Sequence, residues 1–291
     1  MDIRKAGFPA FLIVFNRKHR RPVGKNSGVK MKRGYADIQE GQMHYRTEGE
    51  GEPVILLHMA VASSDEFSRA MHYLSKYYRA IAPDFLGAGD SDPPPRPYGI
   101  PDHARTVISF MDYMGIKKAH IVGHHLGATV GMEVQITHPE RVNKLVLSGF
   151  GYHPDPDEGI PFADPPNFMG PVEIKPDGSH LLEWWRRSGL WGGEPDILEE
   201  RVIEYIKAGP RGEEAHLAGN DYNPKTRLPL VSSPLMVLFE TKDPFYVVAA
   251  GVKKLVPHAK FTVIENGPIY VDRIMPKEFA GAILDFLRSP A

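Results

Sequence analysis

The chain has 291 residues, 42% of them hydrophobic, which is enough to bury one sizeable core and too little to call for a second full domain. With 35 Lys and Arg against 36 Asp and Glu, the formal net charge is −1; the whole chain carries no electrostatic footprint for nucleic acid, and a small molecule is the expected partner. The absence of cysteine excludes disulfides, thiolate catalysis and Cys-ligated metals.

The charge is uneven along the chain. Residues 1–33 hold ten Lys and Arg and a single acid, Asp2, so a basic extension precedes an acidic body. Within it, Phe8-Pro9-Ala10-Phe11-Leu12-Ile13-Val14-Phe15 is far shorter than the ~20 apolar residues that span a bilayer. The basic block Arg17-Lys18-His19-Arg20-Arg21 follows where a signal peptide would place small residues. The expectation is a poorly ordered extension over 1–33, with Met31 as an alternative start, or else an arm that touches a surface or membrane. No transmembrane segment is expected, and the protein is expected to be cytoplasmic.

From Gly34 onward, apolar runs alternate with helical patterns, the sequence form of a mostly parallel sheet covered on both faces. Residues 35–38 and 43–46, joined around Glu40-Gly41, read as an opening hairpin. Parallel strands are expected at 53–58, 79–84, 118–123, 143–148, 234–240 and 260–265, giving a sheet of about eight strands. Helices are expected at 65–76, 101–114, 126–137, 246–256 and 276–287. From about 152 to 231 the alternation stops, and this Pro- and Gly-rich stretch reads as a helical lid inserted into a single domain, 34–291. Its segments 181–185 and 197–206 look like short amphipathic helices. All three tryptophans, Trp184, Trp185 and Trp191, lie in this insert, where they either staple the lid to the core or line an apolar pocket; Trp184 and Trp185 are candidate pocket residues.

The run Gly123-His124-His125-Leu126-Gly127-Ala128, between a strand and a helix, is the most informative in the chain. Small residues must flank a turn that holds its central residue in a strained conformation and lifts that side chain above the sheet. Other landmarks are Leu56-Leu57-His58, Pro83-Asp84-Phe85-Leu86-Gly87-Ala88-Gly89, His138-Pro139-Glu140-Arg141-Val142 and Thr241-Lys242-Asp243-Pro244-Phe245. In their order and spacing, from about Gly34 to Leu287, the chain resembles the α/β-hydrolase superfamily. The resemblance implies an α/β-hydrolase fold, with the nucleophile elbow at His125 and the triad acid at Asp243.

Three positions depart from the family pattern. Met59 replaces the usual glycine after His58, His125 replaces the nucleophilic serine, and Pro268 stands where the family has its histidine base. The only histidine beyond Asp243 is His258, ahead of the last strand and therefore expected at the opposite end of the sheet. An acyl-serine mechanism needs a hydroxyl and an oriented imidazole, so ordinary esterase or lipase chemistry is excluded.

Three roles for His125 remain open: general base or acid with Asp243 as its orienting carboxylate, covalent nucleophile, or a residue of a catalytically inactive relative that binds a small ligand or a protein partner. The first would support hydrolysis, C–C cleavage or proton transfer on a small carbonyl-containing compound. The resemblance places oxyanion-hole donors at the backbone N–H groups of Leu126 and Ala60, with His58, His124 and Met59 supporting the pocket. A metal held by His58, His124 and His125 is the sharper alternative, and no metal is expected. Asp272 and Arg273 either contribute a charge to the pocket or sit in a solvated loop. With no dinucleotide or phosphate-loop motif, no dissociable cofactor is expected. Nothing in the composition opposes a homodimer.

Overall fold

The computed structural model describes residues 30–160, 172–190 and 192–290. Residues 1–29 of the expected extension, part of the lid and Trp191 lie outside the described residues, and Lys32 and Arg33, expected within that extension, begin the first strand. The chain opens with β1 (Lys32–Ile38) and β2 (Gly41–Glu48), an antiparallel hairpin whose pairing starts at Lys32 opposite Thr47. It then runs through β3 (Pro53–Leu57), α1 (Ser68–Leu74), β4 (Arg79–Pro83), α2 (Ile100–Tyr113), β5 (Ala119–His124), α3 (Leu126–Thr137) and β6 (Val142–Ser148). The helical lid follows, with α4 (Ser179–Gly189), α5 (Pro195–Ala208), α6 (Glu214–Asn220) and α7 (Pro224–Arg227). The fold closes with β7 (Leu235–Glu240), α8 (Ala249–Leu255), β8 (Lys260–Ile264), α9 (Val271–Ile274) and α10 (Pro276–Leu287).

These strands form one eight-stranded sheet in the order β1-β2-β4-β3-β5-β6-β7-β8, with β3 to β8 parallel. This is the α/β-hydrolase fold. Alternation along each strand sends side chains to two cores. Ile55, Leu57, Ile121, Leu145 and Val237 pack with α2, α3 and α8, whereas Val54, Leu56, Val122, Val146 and Met236 pack with α1 and α10. Burial on both faces is why these strands read as continuous apolar runs.

The chain passes from β3 outward to β4, then crosses back to β5 on the other side of β3. Strand order therefore reverses between β3 and β5, and the crevice beyond their carboxyl ends is where an open α/β sheet places a ligand. Both the loop after β3 and the sharp turn after β5 open there.

Two expected helices are interrupted. The one at 65–76 begins as a 3-10 turn, Ser64–Phe67, capped by the Ser63 side chain, before α1; the one at 246–256 begins with a 3-10 turn, Pro244–Val248, before α8. Serine and proline at those starts tighten the first turn. Among the described residues no helix is long and apolar enough to cross a membrane.

Lys144 on β6 is buried, and its Nζ donates to the carbonyls of Phe286, Leu287 and Ser289, at 3.2, 3.2 and 2.6 Å. It caps the carboxyl end of α10, whose last carbonyls have no helical partner. Lys144→Met is expected to lower stability by about 1.5–3 kcal/mol, the range for hydrogen bonds to a charged group, as read by urea unfolding. An unchanged midpoint would show that the cap contributes nothing.

Candidate active site

β5 ends at His124, and His125 turns the chain into α3 with φ 49° and ψ −113°, a left-handed conformation for a residue that carries a side chain. Such a residue costs on the order of 1–3 kcal/mol and needs support. Its N–H donates to the Ser148 carbonyl at 3.0 Å, and its carbonyl accepts from the N–H groups of Ala128 and Thr129 at 2.9 and 3.2 Å. A Cβ at Gly123 would collide with the backbone of Gly127 and Ala128, and one at Gly127 with the carbonyls of Leu57 and His58. Glycine at both positions lets the elbow nest against β3.

The His125 ring reaches across the end of the sheet, with Nε2 2.7 Å from Asp243 Oδ2. The other carboxylate oxygen accepts the Phe245 N–H at 2.8 Å, so Asp243 caps the turn after β7 while it faces the ring. A carboxylate only accepts, so Nε2 carries the proton and the Nδ1 lone pair is left for chemistry. Space for the ring comes from Gly149, at φ 55°, where a Cβ would lie 2.5 Å from His125 Cδ2 and 2.6 Å from Nε2.

Burial, the largest single influence, opposes charge on the His125 ring, but Asp243 outweighs it by charge and hydrogen bond, helped by Glu240 and Glu66, and holds the imidazole above its ordinary pKa of 6.5. Asp243 is itself buried, which pushes its carboxyl up, yet His125 draws it below the usual value. Burial pushes Glu240 up to about 8 while its oxygens accept from Ser148 Oγ at 2.6 Å and the Gly149 N–H at 3.0 Å. At neutral pH, Glu240 is therefore mostly protonated and Asp243 carries the charge beside the ring.

His125 opens onto a cavity of about 120 Å³ whose wall includes Met59, Ala60, Leu126, Tyr152, Phe245 and Ile269. Among the described residues neither the Leu126 nor the Ala60 backbone N–H has a protein acceptor. The Met59 amide, by contrast, already donates to Glu66 Oε2 at 3.1 Å. The loop past β3 is held by the lid: Arg201 of α5 donates to the Val61 carbonyl at 2.7 Å and the Ala60 carbonyl at 3.4 Å. Val61 sits at φ 49°, a strained value for a β-branched residue. Arg201 pairs with Glu204 at 2.7 Å, Glu204 with Arg273 at 2.7 Å, and Arg273 with Glu200 at 3.0 Å.

Both nitrogens of His58 are occupied. The Phe85 N–H donates to its Nε2 at 2.9 Å, so Nδ1 carries the proton and donates to the Met59 carbonyl at 2.7 Å. His124 is fully buried beneath the elbow, with Nδ1 2.8 Å from Glu66 Oε1 and 3.8 Å from Asp272 Oδ1. Burial, chiefly, holds its pKa at about 3 and raises both Glu66 and Asp272 to about 7. Asp272 and Arg273 thus lie in a buried charge network, not in a solvated loop, because α9 folds them under the lid.

The tryptophans correct the expectation of a pocket lining. Trp184 stacks on Tyr205 within the lid, ring centroids 6.3 Å apart, Trp185 is exposed, and neither lines the cavity. The sequence reading missed His153 and His216, which do line it, because an irregular insert gives no register for placing side chains. His216 Nδ1 lies 2.8 Å from Glu213 Oε2. His258 precedes β8, at the end of the parallel sheet opposite His125.

Three sets of side chains among the described residues lie close enough to hold a divalent ion: His124, His125 and Asp243; His44, Asp84 and Asp90; and Glu66, His124 and Asp272. In each, two members are already hydrogen-bonded to one another. The alternative set of His58, His124 and His125 is not among them, and both His58 nitrogens are engaged.

The fold and this site define the class, an α/β-hydrolase scaffold with an imidazole at the elbow. A family model described as the alpha/beta hydrolase fold matches residues 52–187. A 2-hydroxy-6-oxononadienedioate/2-hydroxy-6-oxononatrienedioate hydrolase of Pseudomonas putida is 28% identical over 286 residues, 87% of this chain and 96% of that protein. Haloalkane dehalogenase 2 of Mycobacterium tuberculosis is 32% identical over 119 residues, 40% of this chain; the match spans less than half of that protein, 42%. Among solved structures, an N-acyl homoserine lactonase superposes with a TM-score of 0.72 at 22% identity, over 90% of this chain and 99% of its own. The superposition shows the same fold, and the family match falls on its first half.

Two outcomes follow from this geometry. Gly149→Ala should push the His125 ring off Asp243 and cut any activity by about tenfold or more in a protein that still folds, with circular dichroism as the control. Asp272 loses its proton near pH 4 when unfolded and near 7 when folded, so its contribution to stability is fully present below about 4 and is lost as the pH rises to about 7. Asp272→Asn should therefore gain on the wild type between pH 4 and pH 8, by on the order of 4 kcal/mol in urea unfolding. A constant difference would show that the carboxyl is ionised throughout.

Proposed function

We propose that the chain is an α/β-hydrolase-like enzyme acting on a small carbonyl-containing molecule, by hydrolysis, C–C cleavage or proton transfer beside the carbonyl. His125 is its general base and acid, and Asp243 the carboxylate that orients it. The observation that carries this reading is the 2.7 Å contact between His125 Nε2 and Asp243 Oδ2 at the wall of a cavity. That contact fixes the tautomer, so Nδ1 can take a proton from water or from a carbon beside the carbonyl, and Asp243 stabilises the imidazolium that results.

The amides of Leu126 and Ala60 are the donors for the oxyanion that such a step develops. Both residues line the same cavity as His125, and Leu126 opens α3, whose amino terminus favours negative charge. The similarity to hydrolases and a dehalogenase that act on small molecules agrees with this reading. No metal is required by it, so dialysis against a chelator should leave turnover unchanged.

The test is a panel of esters, lactones, epoxides, haloacids and β-diketones, run on wild type and His125→Ala. Loss of the imidazole should cost about 10²–10⁴-fold. Equal turnover in the two proteins would end the catalytic reading in favour of a ligand-binding relative.

The pH profile is a second readout. Only neutral His125 can accept a proton, so kcat/KM should climb with pH along an acid limb whose midpoint lies above 6.5. Asp243→Asn removes the charge that raises it, and Glu240, Glu66 and His124 remain the titratable groups facing the ring. The limb should then move to lower pH while the plateau rate falls; a limb that stays in place would assign the titration to another group.

A further inference from the structure

A second and larger cavity, about 380 Å³, adjoins the first, and the two share Ala60, Leu126 and Ala215. The shared wall thus includes both residues whose amides are the candidate oxyanion donors, with Ala215 of the lid as the third. We propose that the second cavity is a substrate subsite for an uncharged, aromatic-sized arm that carries a hydroxyl group, with the reacting carbonyl over Ala60 and Leu126 and the smaller remainder of the molecule in the first cavity. The inference rests on the reading of those amides as the carbonyl site.

Size decides which arm goes where. A cavity of roughly 150 Å³ is just able to hold benzene. The cavity at His125 is smaller than that, and the second is more than twice as large. Its wall supplies Phe85, Leu86, Pro94 and Tyr98, apolar surface suited to a ring.

One polar side chain in that wall lacks a partner. His103, on α2, is 4% exposed, and its ring lies edge-on to Tyr98 and tilted against Phe85, at centroid distances of 5.6 and 5.2 Å. Neither of its ring nitrogens has a hydrogen-bond partner among the described residues, and Nδ1 is sealed from solvent. A ligand in the cavity therefore meets the ring at Nε2, which is not sealed. Burial, the main cause, holds the His103 pKa at about 4, so the ring is neutral. A neutral imidazole donates at one nitrogen and accepts at the other, and a hydroxyl serves it in either tautomer.

The alternative of an anionic arm finds less support. Lys207 and Arg211 border the cavity, but Lys207 pairs with Asp90 at 2.7 Å and Arg211 with Glu214 through two contacts of 2.7 and 2.8 Å. His58 also lines this cavity, with both nitrogens engaged.

The test is equilibrium binding to the full chain by calorimetry, using three unreactive methyl ketones that differ only in the arm: para-hydroxyphenylethyl, phenylethyl and para-carboxyphenylethyl. Wild type should bind the hydroxyl probe about three- to tenfold more tightly than the phenyl probe, the range of one neutral hydrogen bond, and the carboxylate probe most weakly. His103→Leu should abolish the hydroxyl preference while leaving the phenyl affinity within about twofold. Ala88→Trp, which fills the second cavity, should weaken both by about tenfold or more; unfolding midpoints check that each variant is folded. No binding by any probe, no hydroxyl preference, tightest binding of the carboxylate, or an Ala88→Trp protein that binds like wild type would each overturn the proposal. Turnover of His125→Ala tests the catalytic reading, whereas binding to wild type, His103→Leu and Ala88→Trp tests the subsite, so failure of the one is distinguishable from failure of the other.

Discussion

A residue with a side chain, held at φ 49° between a buried strand and a buried helix, is the constraint from which the rest of this site follows. Nothing local favours it, because a left-handed residue that is not glycine must be over-determined by its surroundings. Here β6 supplies an acceptor for the His125 N–H, α3 takes up its carbonyl, and Gly123 and Gly127 remove the side chains that would prevent close approach. The turn falls beside β3 and β5, where the order of the sheet reverses. Fold topology therefore puts a crevice where the strained turn puts a side chain, and the identity of that side chain decides the chemistry.

Replacing a hydroxyl with an imidazole at such a turn changes more than one group. The longer ring spans the gap to Asp243 directly, a distance that in a serine enzyme is bridged by a separate histidine. Pro268 stands where that histidine would be, and Gly149 leaves room for the ring. Several buried acids surround the pair, and they cannot all be ionised in a low-dielectric interior. Burial pushes Glu240 to about 8 and Glu66 and Asp272 to about 7, whereas Asp243 is drawn the other way by the imidazole. Asp243 keeps its charge because the imidazole facing it is raised, whereas His124, which faces Glu66, is held neutral by burial.

Much of this was legible in the sequence. The reading placed a helix at 126–137 and another at 276–287, and the structure has them at Leu126–Thr137 and Pro276–Leu287, because a tight turn and Pro276 mark their starts. Strand positions came within a residue or two, since a strand buried on both faces is an unbroken apolar run. The lid was legible in part: the expected segments 181–185 and 197–206 fall within α4 and α5, but α6 and α7, of seven and four residues, are too short to leave a periodic pattern. Arg201 and Glu204 escaped notice for a physical reason, since charged residues on an amphipathic helix normally read as its solvated face. The partners that bury these lie far away in sequence. The tryptophans misled in the opposite sense, because a large aromatic marks burial without saying against what.

The buried ion pairs bear on how the lid and the sheet are related chemically. Two arginines and their carboxylates under the lid are poor contributors to stability compared with packed apolar groups, since desolvation offsets most of their attraction. What they supply is position. Arg201 holds the carbonyls of Ala60 and Val61 from α5, which fixes the orientation of peptide groups in a loop that contains a strained, left-handed valine. A peptide whose carbonyl is tied on one side presents the next N–H on the other. Those contacts fix the Val61 and Ala62 amides from the lid. The Ala60 N–H belongs to the peptide of the Met59 carbonyl, which accepts from His58 Nδ1, while that of Leu126 is set by the elbow. The two donors expected to face one oxyanion are thus fixed at the ends of β3 and β5, and the lid braces the loop just beyond them. A substrate that bridges the cavities on either side of them would touch the sheet and the lid together, because Ala215 of α6 lines both.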